Sequence, residues 1–417
     1  MNYRRFLPIF LIAFAGMMLV QFYVTNSKKK NAPEKEPPPP ATQVSEDTAA
    51  SRPETAGAKA TSEKIAPSQW QVRSGKEATY TIGSLEPKDG YKLLLELRSE
   101  GAAIRTVKLS DYFQTVADKQ LYDEDPAQYA RKAAADPDKY KGHYTVVGPV
   151  DFRGAKNFTL STRQIKLYLG EKDADQQPDR IFDEFRTKRW ERIDTPQAAD
   201  HQSVTYELTL YRRPIDPKTA PSAKPQKALT VRKTYTVTKG SYSIGVELSF
   251  INHMRQKVRL DVDQAGPTGI TREDARSDQR MAVLGKLVDN KIKPVMRGKS
   301  DLDKWPYGQE EIVGRSDAVE KPLVWIGYVN KFFGAIMYLM PREKDRLNAA
   351  SYDARYYLTA IQDSKEFRTW RMGMRLEGLE LGAAGGEGKT TRSCKLDLFV
   401  GPKQRKLLAE NPLYSRL

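Results

Sequence analysis

The sequence predicts a mainly β protein: a large antiparallel β-sandwich preceded by one transmembrane helix and a disordered linker. Three observations carry that expectation. Short runs alternating apolar and polar residues recur from Trp70 to Val400, the period-two pattern of half-buried strands. Residues 6–24 read FLPIFLIAFAGMMLVQFYV, uncharged, with Gln21 as the polar residue. Residues 28–69 hold Pro37-Pro38-Pro39-Pro40 among Ala, Thr, Ser, Glu and Lys, with almost no large apolar side chain. The expected domains are an anchor over 1–27, a linker over 28–69, the sandwich over 70–401 and a C-terminal helix over 402–417.

About nineteen apolar residues at roughly 1.5 Å rise span about 30 Å, the thickness of a bilayer core. The expected partner of this segment is the lipid bilayer. Cleavage after Ala13-Phe14-Ala15 would leave apolar stretches on both sides of the cut, so an uncleaved anchor is expected rather than a signal peptide. Arg4 and Arg5 precede the segment and Lys28, Lys29 and Lys30 follow it, which leaves charge asymmetry nearly silent about orientation. The linker has too little apolar surface to offset its chain entropy. Its proline run is locally stiff and holds the domain away from the membrane.

From Trp70 onwards the runs ATYTIGSL (78–85), YKLLLELRS (91–99), NFTLSTRQIKLYLG (157–170) and VTYELTLYRR (204–213) read as strands. In LTVRKTYTVTKGSYSIGVELSFIN (229–252), Lys239-Gly240-Ser241 separates two alternating runs and signals a hairpin. LVWIGYVN (323–330) and FFGAIMYLM (332–340) are apolar enough to suggest a second span, but Asn330 and Lys331 interrupt them. Polar residues are costly at a bilayer centre, so a buried hairpin is expected. RYYLTAI, FRTWRMGMRLEGLEL and CKLDLFVG supply further strands. Asp125-Pro126 opens a short helix that stops at Asp136-Pro137, and KQRKLLAE after Gly401-Pro402 opens another.

The formal charge of +16 points to an anionic neighbour. The basic residues form no dense block or zinc-finger spacing, so no nucleic-acid partner is expected. GAAGGEGKTT (382–391) suggests a phosphate loop, yet Ala383 stands where the first glycine must be and a strand-like run follows; a surface hairpin loop is expected instead. His143, His201 and His253 are far apart, with no metal-ligand spacing. Cys394, the single cysteine, alternates with Leu396, Leu398 and Val400 and reads as a core residue rather than a nucleophile. Asp123-Glu124-Asp125 lacks the glycine and terminal Glu of a calcium loop. No catalytic, cofactor-binding or metal-binding residue is expected, and no enzyme.

Four segments carry a family resemblance. GAAIRTVKLSDY (101–112), the 229–252 hairpin, WIGYVNKFFGAIMYLMP (325–341) and LDLFVGPKQRKLLA (396–409) resemble, in that order, segments of the periplasmic domain of YidC-type membrane protein insertases. The resemblance covers residues 1–24 and about 70–417. It implies a galactose-mutarotase-like β-supersandwich in the periplasm, with the N-terminus in the cytoplasm and the anchor in the bacterial inner membrane. It also implies a role in protein transport, chaperoning nascent membrane proteins into lipid alone or beside Sec translocon subunits. The family's five further membrane helices do not follow within these residues, so either a portion of a longer insertase or a stand-alone relative is expected. Gly401, Pro402 and Lys403 are the candidate docking residues between the sandwich and such helices. The alternatives are a stand-alone membrane-anchored envelope adaptor and a carbohydrate-binding mutarotase-like domain.

Overall fold

Alternation along the strands leaves each with one apolar face, and burying those faces requires stacked sheets. The computed structural model describes residues 70–414 apart from 153, 171–175, 194, 196, 214–223, 274–277, 343–345, 363–367, 410 and 412. The expected anchor and linker lie outside the described residues. Among the described residues, no helix is long and apolar enough to cross a membrane.

The strands form two large antiparallel sheets. The larger runs β1 (Trp70–Val72), β11 (His201–Arg212), β12 (Gln226–Thr238), β13 (Ser243–Asn252), β22 (Thr391–Pro402), β19 (Phe333–Leu339), β18 (Leu323–Val329), β15 (Met281–Val288) and β16 (Lys291–Arg297), with β10 (Glu191–Ile193) also on β11. The second runs β17 (Glu310–Arg315), β20 (Asp353–Gln362), β21 (Arg368–Leu381), β14 (Val258–Ala265), β8 (Thr162–Leu169) and β9 (Arg180–Phe182). A four-stranded sheet holds β2 (Thr79–Gly83), β3 (Leu93–Arg98), β4 (Ala103–Phe113) and β5 (His143–Val147), and β6 (Val150–Phe152) pairs with β7 (Ala155–Asn157). Side chains from both large sheets and the four-stranded sheet share one apolar core, including Leu95, Leu167, Leu248, Tyr356, Trp370 and Leu398.

The expected hairpins are present. β12 and β13 pair from Leu229↔Asn252 to Val237↔Ile244, and Gly240 takes φ +73° in their turn. β18 and β19 pair from Trp325↔Tyr338 to Val329↔Gly334, and every residue of both is buried. Cys394 is buried on the inner face of β22, and burial pushes its thiol up to about 12, the environment of an inert thiol.

Two sequence expectations change. The glycine-rich segment after β21 is not a hairpin loop, because β21 and β22 belong to different sheets. It crosses between the layers alongside the β13–β14 connection. Asn252 ties the two crossovers: its Nδ2 donates to Gln256 O (2.8 Å) and Gly382 O (2.8 Å), while its Oδ1 accepts from Met254 N (3.0 Å). The Asp125-Pro126 helix is the second of a pair. Helix α1 (Val116–Glu124) precedes α2 (Pro126–Ala135). Thr115 Oγ1 caps α1 through Asp118 N (3.0 Å), and Asp125 Oδ1 caps α2 through Gln128 N (2.9 Å). Phe113, Tyr122, Tyr129 and His143 pack together beneath them.

The core also encloses Lys233. It faces inward from β12 and is fully buried. Its Nζ donates to the carbonyls of Leu160 (2.7 Å), Ala102 (3.2 Å) and Gly101 (3.4 Å), and Tyr235 Oη donates to Ala102 O (2.6 Å). Ala102 and Leu160 hold φ +44° and +56°, a region that costs a non-glycine residue about 1–2 kcal/mol. The ammonium thus holds two strained turns together in the interior.

Candidate docking face at the end of the last strand

The region around Gly401, Pro402 and Lys403 is built from the turn that follows β18. Asn330, buried at that turn, has all its polar atoms engaged. Its Oδ1 accepts from Phe332 N (3.1 Å) and Phe333 N (2.7 Å), and its Nδ2 donates to Tyr144 Oη (3.0 Å) and Thr271 O (2.9 Å). The same asparagine that interrupts the apolar stretch in sequence therefore folds the hairpin turn. Phe333 turns inward, stacked on Tyr144 with ring centroids 4.2 Å apart. Phe332 turns outward and is 53% exposed, with the Lys331 ammonium 4.9 Å from its ring.

The end of β22 lies against this turn. Gly401 pairs with Gly334 and Pro402 with Phe333, so both residues close the sheet rather than open the helix. A Cβ on Gly401 would come within 2.9 Å of the Tyr242 ring, a contact only glycine avoids. Lys403 N donates to Phe332 O (2.7 Å), and Gln404 Nε2 donates to Tyr112 Oη (2.6 Å). The Lys403 side chain is half-buried; burial pushes its ammonium down while Glu273 pulls it back up. Burial likewise raises Glu273, against the bond it accepts from Lys331 N (3.1 Å).

Beyond Gln404 the chain folds onto the outer face of the larger sheet. Helix α3 (Arg405–Ala409) is shorter than the eight-residue run read in sequence. Leu408 and Tyr414 pack with Trp325, Ile336, Tyr338 and Phe399 in a second apolar cluster. Trp325 Nε1 donates to Leu413 O (2.9 Å), and Tyr414 Oη donates to Asp397 Oδ2 (3.0 Å). Asp397 also accepts from Ser243 Oγ (3.1 Å), and burial raises its carboxyl above the ordinary range. The three candidate residues are thus clamped at their backbone, with the following segment fixed across β18, β19 and β22. The arrangement has the chemistry of a rigid mount. Among the described residues, no group of three or more His, Cys, Asp or Glu is placed to hold a metal ion.

The histidines stay apart. His143 Nδ1 lies 3.1 Å from Leu109 O, His201 Nδ1 lies 2.8 Å from Asp200, and His253 Nε2 lies 2.8 Å from Thr230 Oγ1. Tyr112, Tyr242, Glu273 and Asp397 were missed in sequence, although the alternation Lys395, Asp397, Phe399 already puts Asp397 on the face opposite Cys394.

Residues 222–417 match the family model described as YidC periplasmic domain. The match includes β12 and everything after it, and so the whole clamp on the β22 side. None of the curated proteins matches the chain. Solved structures similar to it include a galactose mutarotase-like protein from Lactobacillus casei, 11% identical, covering 78% of this chain and 100% of that one at TM-score 0.38. A protein from Synechocystis is 11% identical, covers 79% and 98%, and has TM-score 0.37. A galactose 1-epimerase from Lactobacillus acidophilus is 9% identical, covers 80% and 99%, and has TM-score 0.36.

Proposed function

We propose that this YidC-type protein, whose residues 222–417 match the YidC periplasmic domain, serves membrane protein insertion as an anchored, non-enzymatic periplasmic module. The single observation that carries the reading is that match, which spans the hairpin turn, the β22 terminus and the docked C-terminal segment. Residues 6–24 hold the chain in the bacterial inner membrane, with the N-terminus in the cytoplasm. The linker then keeps the domain at high local concentration beside the site where nascent membrane proteins emerge. The sandwich receives those chains alone or next to Sec translocon subunits, and the clamped Gly401-Pro402-Lys403 segment fixes the direction in which the polypeptide leaves it.

Affinity purification of the native protein from membranes, after brief crosslinking, tests the reading. Translocon subunits and nascent membrane proteins should be enriched. Purification without either would remove it. Titration with hexoses addresses the carbohydrate-binding alternative: saturable binding would favour that class over insertion.

A further inference from the structure

Phe332 stands outward at a turn whose folding uses only its backbone. Its N–H donates to Asn330 Oδ1 (3.1 Å) and its carbonyl accepts from Lys403 N (2.7 Å). The inward aromatic position belongs to Phe333, 6% exposed, whereas Phe332 is 53% exposed. Folding does not call for an aromatic ring at this position. A lone exposed apolar residue is ordinary, but this one is ringed by positive charge.

The Lys331 ammonium lies 4.9 Å from the Phe332 ring. Lys403 is tied to Phe332 through the backbone, and Arg405 and Lys406 follow on α3, both exposed. None of these four cations makes an ion pair among the described residues. Two carboxylates are hydrogen-bonded into this end. Asp111 is engaged by Lys92 Nζ (2.8 Å) and Tyr242 Oη (3.2 Å). Glu273 accepts from Lys331 N (3.1 Å) and Tyr144 Oη (3.3 Å). Against four unpaired cations, Glu273 is thus the one carboxylate here with no cation at ion-pair distance.

An outward aromatic ring among basic residues has the chemistry of a membrane interface. Aromatic rings settle at headgroup level, and lysine and arginine stems lie along apolar surface while their charges meet lipid phosphates. Each basic residue close to an anionic lipid surface strengthens attachment roughly fivefold. The inference rests on the anchor proposed above: with residues 6–24 in lipid, residues 25–69 tie the domain to one bilayer at high effective concentration. We propose that this turn end of β18, β19 and β22 is a lipid-facing surface. Phe332 enters the headgroup region of an anionic bilayer, and Lys331, Lys403, Arg405 and Lys406 bind its phosphates.

The test uses the full chain reconstituted into vesicles of phosphatidylcholine, alone or with phosphatidylglycerol, carrying brominated acyl chains that quench nearby tryptophan. Phe332→Trp supplies the probe, read after subtracting the signal of the five native tryptophans. Val319→Trp is the control: Val319 is 100% exposed and precedes β18, which sets it roughly 20 Å from the turn. With phosphatidylglycerol, the Phe332→Trp probe should be quenched severalfold more than the control, and its quenching should fall in phosphatidylcholine alone. Adding Lys331→Gln, Arg405→Gln and Lys406→Gln should weaken attachment roughly a hundredfold. Equal quenching of probe and control overturns the proposal, as does quenching that the three added substitutions leave unchanged in a protein with a native circular dichroism spectrum. If the triple variant does not fold, the comparison of probe with control decides. Blue-shifted emission that brominated lipid does not quench puts a second copy of the chain on this surface and overturns the proposal too. Carbonate extraction reads the anchor separately. A chain that resists extraction but leaves the probe unquenched keeps the anchor and loses the lipid-facing surface; an extractable chain with a quenched probe keeps the surface and loses the anchor.

Discussion

Replacing Lys233 with methionine keeps the length and apolar stem of the side chain and removes the ammonium alone. In the wild-type core the ammonium bonds three carbonyls. Two of these keep another donor after the substitution: Ala102 O still accepts from Tyr235 Oη at 2.6 Å, and Gly101 O from Thr162 N at 3.3 Å. Leu160 O loses the donor it has, and one buried orphan carbonyl costs about 1–3 kcal/mol. The positive-φ turns at Ala102 and Leu160 also lose what holds them, which adds up to about 1 kcal/mol. Relief from burying an ammonium with no carboxylate beside it offsets part of this. The expected net destabilisation is about 2 kcal/mol, read by urea unfolding with intrinsic fluorescence.

The same substitution has a pH signature. Burial lowers the Lys233 pKa well below its ordinary 10.5, so between the folded value and about 10.5 the unfolded chain binds more protons than the native one. Stability contributed by this site therefore rises with pH through that window. The gap between wild type and Lys233→Met should widen as pH rises from the lowered folded value towards about 10.5. A variant as stable as wild type, with a gap independent of pH, would refute the reasoning.

Three further outcomes follow from the mount. Asn330→Ala removes four hydrogen bonds from the turn and should cost about 2–4 kcal/mol in urea unfolding, while Asn330→Asp should recover part of the loss through the two backbone N–H groups. Asp397→Asn should raise the thermal midpoint at pH 7. Because burial raises the Asp397 pKa, the native state holds the proton longer as pH rises, so the wild type loses stability from that site between the unfolded and folded values; the advantage of the variant should shrink as pH falls towards about 4. Gly401→Ala forces a methyl against the Tyr242 ring and should destabilise by about 1–3 kcal/mol, seen as a lower thermal midpoint.

Much of this architecture is legible in sequence because alternation is a local property. The 229–252 and 323–340 hairpins are read correctly, and Asn330 marks the second turn in both sequence and structure. Which sheet a strand joins is not local, and the 382–390 segment reads as a hairpin loop although it crosses between layers. Helix α1 has no apolar stripe to announce it; its capping and its contacts with α2 form it. Lys233 shares a strand face with Val231, Tyr235 and Val237, a parity that places it in the core, but a lysine is ordinarily assigned to solvent. Gly401, Pro402 and Lys403 were found through family resemblance. The residues that clamp them, Tyr112, Tyr242 and Glu273, became visible only when the fold placed them.

On the proposed reading, the domain works in membrane protein insertion through its rigidly mounted C-terminal segment. The most direct measurement is protease-protection of a newly made membrane protein in cells whose copy of this protein carries a Gly-Ser linker in place of Gly401-Pro402-Lys403, with expression matched to wild type. Inserted, protected substrate should fall markedly while the sandwich itself remains folded. Insertion equal to wild type would contradict it.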